Sequence, residues 1–229
     1  MSTVYSTGIP SLDHALGGGV PSGKLIVIET DSTSQGEQLL RLLTVQQPTL
    51  FLSTTREACD VDEWLQGREQ LIEGNSVGVS ERNEDSIPPV RTVYLGLEDP
   101  LSEAIEQFDR VTDPVNVIVD SIDRLETGSS EEYLDFVQRL RRYTRDSEQV
   151  VYLHALDGYV TGSEISHHNR TETRKLADIV CLLSVETSSR ETTTRLTVTK
   201  NRTGVCPAES IELEIGDRIS VDNSRDISI

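Results

Sequence analysis

STGIPSLDHALGGGVPSGKLIVIETDSTSQGEQLLRLL, from Ser6 to Leu43, falls into three parts. A turn-rich lead-in holds Gly17, Gly18, Gly19, Pro21 and Gly23. A short apolar run, Leu25 to Ile28, has the length and composition of a fully buried strand. A polar loop, Glu29 to Gln35, then feeds a segment with Leu39, Leu40, Leu42 and Leu43 at helical spacing. Strand, loop and helix in this order make the frame of a phosphate-binding loop.

The loop departs from the chemistry of that frame. The pattern is G-x-x-x-x-G-K-[ST]. Aligning strand and helix puts Thr30 at the first Gly and Gln35 at the second, Gly36 in place of the Lys and Glu37 in place of the Ser/Thr. The Lys carries positive charge to the terminal phosphates and the hydroxyl ligates magnesium. Here the cation is gone and a carboxylate faces the site. The degenerate loop comprises Thr30, Asp31, Ser32, Thr33, Ser34, Gln35, Gly36 and Glu37.

The lead-in carries a resemblance. TGI-x-x-LD-x-x-LGGG-[IV]-P-x-G before an apolar strand resembles the start of the RecA superfamily, KaiC-like branch. It stands here as Thr7, Gly8, Ile9, Leu12, Asp13, Leu16, Gly17, Gly18, Gly19, Val20, Pro21 and Gly23. The resemblance implies an α/β fold of three layers, a RecA-like P-loop domain spanning residues 1–229, with a mostly parallel sheet and a C-terminal β-hairpin extension. The strand at Leu25–Ile28 is expected at the centre, beside Val150–Leu153, with Val117–Val119 next. The alternation of strand and helix patterns from Leu25 to Leu183 agrees with this.

Composition narrows the setting. The 229 residues include 39 acidic and 21 basic ones, a formal net charge of −18, and only three of the basic residues are lysines: Lys24, Lys175 and Lys200. Acid-rich, Lys-poor composition resembles that of proteins from salt-loving archaea. A charge of this sign repels a phosphate backbone at low ionic strength. No basic stripe or helix-turn-helix points to direct nucleic-acid contact, and none is expected. Cys59, Cys181 and Cys206 lie far apart without a C-x-x-C, so no zinc site is indicated. With no signal peptide and only strand-sized apolar runs, a cytoplasmic protein without a membrane span is expected.

Along the chain, Thr49–Ser53 reads as a second buried strand, and Val61–Ile72 as a helix capped by Asp60. Asn75–Val79 and Arg91–Gly96 read as short strands, and Pro100–Arg110 as a helix capped by Asp99. Val115–Ser121 is an apolar strand ending in Asp120-Ser121. Ser129 or Ser130 caps a helix running to about Arg145, and Val150–His154 reads as a strand. Gly158–Thr171 reads as a polar loop with His167 and His168, followed by a short helix to Ala177 and a strand to Leu183. Thr192–Thr199 and Glu209–Ile215 alternate as strands, with a further edge strand near Asp217–Val221.

The resemblance also assigns roles. Asp120 and Ser121 match the strand-end pair whose Asp holds magnesium through water; Asp-Ser also suits a plain strand-to-turn junction. His154 takes the place of a polar strand-end residue facing the site, a phosphate sensor or a histidine bonded to backbone. Lys200 and Arg202 match a basic pair that reaches phosphates in the neighbouring subunit; the other reading is a hairpin turn with two solvated cations. Two adjacent acids follow the second strand in the family. Here that place reads Ser53-Thr54-Thr55-Arg56-Glu57, and Glu57 reaches the position of the base only if the turn shifts by one residue.

Three functions follow. The first is a non-hydrolysing domain used for regulation, signalling or protein interaction, whose partner is a second copy or a related RecA-like protein bound through Lys200 and Arg202. This reading needs no cofactor. The second is an atypical ATP–magnesium binder using the loop hydroxyls, with Asp120 toward the metal. The third is an active ATPase in which Glu57 and another cation, Lys24 or a neighbour's Lys200, substitute.

Overall fold

Leu25–Asp31 (β3) is buried on both faces, and its residues alternate between two apolar clusters. Leu25 and Val27 enter one, Ile26 and Ile28 the other. Such a strand fits only between two covering layers of helices. The structure is a computed structural model that describes residues 3–31, 34–71, 87–96, 98–112, 115–157, 164–187, 192–204, 206–207, 209–215 and 219–221.

The remaining elements are β1 (Val4–Tyr5), α1 (Pro10–Ala15), β2 (Val20–Pro21), α2 (Gly36–Leu43), β4 (Thr49–Ser53), α3 (Ala58–Trp64), β5 (Val90–Tyr94), α4 (Pro100–Asp109), β6 (Asn116–Asp120), α5 (Ser130–Ser147), β7 (Val150–Asp157), α6 (Glu164–Leu176), β8 (Ile179–Thr187), β9 (Thr192–Asn201), β10 (Ile211–Ile215) and β11 (Ile219–Val221). The main sheet has nine strands in the order β11-β10-β9-β8-β3-β7-β6-β4-β5. From β8 to β5 the neighbours are parallel, and β9, β10 and β11 continue antiparallel. The expected neighbours of β3 are found: β7 beside it, then β6. The C-terminal extension is a three-stranded meander with β11 at the sheet edge. β1 and β2 form a separate two-stranded ribbon.

One apolar cluster joins Leu39, Leu40, Leu42 and Leu43 of α2 to Ile26, Ile28 and Phe51. The other joins Phe108 of α4 and Phe136, Val137 and Leu140 of α5 to Leu25, Val27 and Val119. Alternate residues of the same strands feed both clusters, which are therefore the two faces of one sheet. Local signals set several boundaries. Asp99 accepts from the Ser102 amide ahead of Pro100, and Ser129 accepts from the Glu132 amide at the start of α5.

Two expected helices differ. The segment expected over Val61–Ile72 begins earlier, at Ala58, so that Asp60 lies in its first turn and Glu57 takes the cap position. It stops at Trp64, and the left-handed turn at Gly67 (φ 70°) separates it from a 3-10 turn at Arg68–Leu71. The helix expected from Thr171 instead begins at Glu164, on ground read as loop. Its inward face carries Asn169, Arg170 and Thr173, all buried and hydrogen-bonded, so it lacks the apolar periodicity of a core helix. The strand expected at Asn75–Val79 lies outside the described residues. Among the described residues no helix is long and apolar enough to cross a membrane.

Candidate functional site

Because β3, β7, β6 and β4 are adjacent and parallel, their C-terminal ends converge. Register puts Ile28 beside His154 and Ser53 beside Asp120. From these ends a polar chain crosses the sheet. Thr30 Oγ1 and His154 Nε2 are 2.8 Å apart, and His154 Nδ1 lies 2.6 Å from Asp120 Oδ1. Arg56 Nη2 donates to Asp120 Oδ2 at 2.7 Å, and its Nη1 donates to Glu37 Oε2 at 3.2 Å. The Arg56 guanidinium also lies 4.5 Å from the centre of the Trp64 ring, a cation–π contact. Trp64 in turn meets Phe51 edge-on.

Burial raises the Asp120 carboxyl, but the hydrogen bond and attraction of His154 and then the Arg56 guanidinium outweigh it, and the net shift is downward. Asp120 is thus held ionised. An ionised carboxylate accepts only, so His154 Nδ1 donates to Asp120, and Nε2 faces the Thr30 hydroxyl. Hydroxyl, imidazole and carboxylate follow the order of a nucleophilic triad. The hydroxyl has no room to attack, however. Thr30 is 2% exposed, and a Cβ at Gly36 would lie 3.0 Å from its Oγ1 and 2.4 Å from its Cγ2. The arrangement positions charge and does not expose a nucleophile.

Of the expected site residues, Thr30, Glu37, Asp120 and His154 come together. The Ser121 backbone is held by the residue after β4: its amide donates to Thr54 Oγ1, and Thr54 Oγ1 donates to its carbonyl. Ser34 closes a turn onto the Asp31 carbonyl. Gln35 stands at the cap of α2 without a side-chain capping bond. Ser32 and Thr33 lie outside the described residues. Glu57 is exposed and starts α3, and Arg56 takes the inward direction. Lys24 precedes β3 and so stands at the opposite end of the strand, about 20 Å from the loop at ordinary strand rise. It cannot serve as the substitute phosphate cation. Lys200 and Arg202 stand at that far end too, since β9 pairs there with the start of β8. The Lys200 ammonium donates to the carbonyls of Arg174 and Lys175, and Arg202 Nη2 to that of Lys175, so both cap the C-terminus of α6.

Sequence reasoning passed over Arg56 as merely a missing acid. The signal was present: a cation stands where the frame wants a carboxylate, in a chain that has lost its loop Lys. A second cluster also went unread. Arg170 Nε donates to both Glu126 oxygens at 3.0 and 2.8 Å, and its Nη2 donates to Asp123 at 2.7 Å. The Thr173 hydroxyl lies 3.0 Å from Glu126 Oε1, and the Tyr133 hydroxyl reaches both Thr173 Oγ1, at 2.7 Å, and Glu126 Oε1, at 3.3 Å. Burial pushes Glu126 up to about 7 against the pull of Arg170.

ATP with magnesium fits these residues poorly. Gly36 offers no charge to a terminal phosphate, and Glu37 would repel one. The Asp120 carboxylate, which a hydrated metal would require, already accepts from Arg56 and His154.

Among solved structures, the fold is similar to the crystal structure of the KaiC-like protein PH0186 from the hyperthermophilic archaeon Pyrococcus horikoshii OT3. The TM-score is 0.69 at 15% sequence identity, covering 96% of this chain and 99% of that one. At that identity the likeness shows the KaiC-like RecA fold and carries no activity with it. No curated protein matches the sequence. Residues 4–228 match the model of a family of unknown function, DUF7125, and the chain belongs to that family.

Proposed function

We propose that this chain is a degenerate RecA/KaiC-like P-loop domain that does not hydrolyse ATP and acts in regulation or protein interaction. One observation carries the reading: the Arg56 guanidinium bridges Glu37, at the magnesium-hydroxyl position of the loop, and Asp120, at the magnesium-carboxylate position. An internal cation in that place supplies the charge balance that a metal and phosphates would otherwise bring. The partner we infer is a second copy or a related RecA-like protein. The acid-rich, Lys-poor composition supports a host with a salt-concentrated interior, of the kind found among halophilic archaea.

The test is phosphate release and calorimetric titration with ATP and magnesium in molar KCl. Wild type is expected to release no phosphate above background and to give no magnesium-dependent binding heat. Turnover that Asp120→Asn abolishes, in a variant that still melts cooperatively, would overturn the proposal. Magnesium-dependent binding without turnover, retained in Lys24→Glu/Arg141→Glu, would favour the atypical nucleotide binder instead.

A further inference from the structure

The far end of the sheet, where β3 begins, gathers cations that the loop chemistry does not use. A groove of about 570 Å³ lies there between the last turns of α5, the end of α6 and the residues leading into β3. Lys24, Arg141, Arg142 and Arg145 line it. The three arginines with Gln138 form one face of α5 at the i, i+3, i+4, i+7 spacing. Lys200 and Arg202 stand close by. Burial first, then the positive charges of Arg202 and Arg141, holds the Lys200 ammonium below its ordinary value. All three lysines of the chain, Lys175 included, are at this end of a molecule whose formal net charge is −18.

Helix-dipole complementarity accounts for one or two cations in a last helical turn. It does not account for the convergence of cations from two elements, the lead into β3 and α5, on one concavity, with Lys200 and Arg202 beside it. Acids offset part of this charge, and one of them, Asp178, lines the groove. Asp178 turns its Oδ2 to accept from the Leu25 amide, and Asp146 meets Arg145 in an exposed pair of small worth. Among the described residues, Arg142 makes only a long 3.5 Å contact with the Gln138 carbonyl. Among the described residues, the Lys24 and Arg141 side chains make no hydrogen bond or ion pair. Four cations against one lining carboxylate leave a positive concavity whose internal repulsion an anionic ligand relieves.

We propose that this groove binds a small oligophosphate anion, with Lys24, Arg141, Arg142 and Arg145 as its contacts. Guanidinium forks match phosphate and carboxylate oxygens alike, and four cations on one groove favour a multiply charged anion over a single carboxylate. The volume suits a small molecule. Among the described residues no aromatic ring lines the groove on which bases would stack, and a long nucleic acid would have to continue over a strongly acidic surface. The inference is independent of the loop end, because the groove lies at the other end of β3.

The test is calorimetric titration with sodium tripolyphosphate, with ATP lacking magnesium and with a short oligonucleotide, at about 0.15 M and about 1 M KCl. Tripolyphosphate is expected to bind one to one, more weakly at high salt. ATP binding equally well would assign the phosphate run as the feature recognised; weaker ATP binding would assign a free oligophosphate. Lys24→Glu/Arg141→Glu is expected to weaken binding about tenfold or more, as is Arg141→Glu/Arg145→Glu, whose positions are exposed and tolerant, while Glu37→Ala at the loop end leaves it intact. No binding at millimolar tripolyphosphate, a loss in Glu37→Ala but not in the groove variants, or tighter binding of the oligonucleotide would each overturn the proposal.

Discussion

Gly36 and Thr30 have exchanged sizes relative to the phosphate-loop pattern, and the exchange has a steric basis. The pattern puts Gly at the end of the strand and Lys at the start of the helix. Here Thr30 fills the space against His154, and only a residue without Cβ fits opposite, since a Cβ at Gly36 would meet Thr30 Cγ2 at 2.4 Å. Gly36→Ala is therefore expected to cost about 1–3 kcal/mol in urea unfolding, and Thr30→Gly in the same chain to recover part of that cost. Equal stability of Gly36→Ala and wild type would refute the packing argument. It follows that restoring the loop requires Thr30→Gly together with Gly36→Lys and Glu37→Thr. Arg56 gives a second residue-level prediction. Removing it leaves Asp120 buried with His154 alone, so Arg56→Ala is expected to lose about 2–3 kcal/mol near pH 7. The folded Asp120 titrates below its ordinary 3.8, so its contribution is present above that value and lost as pH falls through the lower folded one. The gap between variant and wild type should narrow in strong acid, and a gap constant down to pH ~2 would sink the assignment.

At the scale of elements, the apolar strands were legible because buried parallel strands are continuous apolar runs. Thr49–Ser53 was read to the residue, and β3, β6 and β7 to within a few. α6 was not legible, because what it buries is polar. The side-chain partners of its Arg170 and Thr173, namely Glu126, Asp123 and Tyr133, lie far off in sequence. The site divided in the same way. Asp120 and His154 follow from strand ends, but the inward turn of Arg56 depends on Trp64 and Glu37, which no local pattern links. The α6 network makes its own prediction. Glu126, raised from 4.5 to about 7, binds more protons folded than unfolded between those values. Its contribution is therefore present below pH 4.5 and lost as pH rises through 7, by at most about 3 kcal/mol. Melting temperature should fall between pH 5 and 8 in wild type, and the fall should flatten in Glu126→Gln, which keeps the shape and part of the hydrogen bonding. An unchanged slope in that variant would show that Glu126 stays ionised beside Arg170. The windows for Asp120 and Glu126 do not overlap, so the two groups can be assigned separately.

The whole molecule is polar along its strands. Exposed Glu37, Glu57, Asp60, Glu98 and Asp99 crowd the end where the parallel strands finish, while the lysines and the α5 arginines occupy the end where they begin. Two salt effects compete in such a molecule. Screening weakens exposed pairs such as Arg110–Glu106 and Arg139–Asp135, which are worth little to begin with and sit at contact distance. It also weakens repulsion among the acids in excess, which acts over distances near a Debye length and is screened almost fully at high salt. With a net charge of −18 the second effect is the larger. Raising KCl from about 0.1 M to about 1 M is therefore expected to raise the melting temperature by several degrees. Neutralising part of the acidic end with Asp60→Asn and Glu98→Gln should raise it at low salt and add little at high salt, because salt has already removed the same repulsion. A melting temperature that falls with KCl, or a variant that gains equally at both salt concentrations, would mean that the exposed pairs and not the excess acids govern stability.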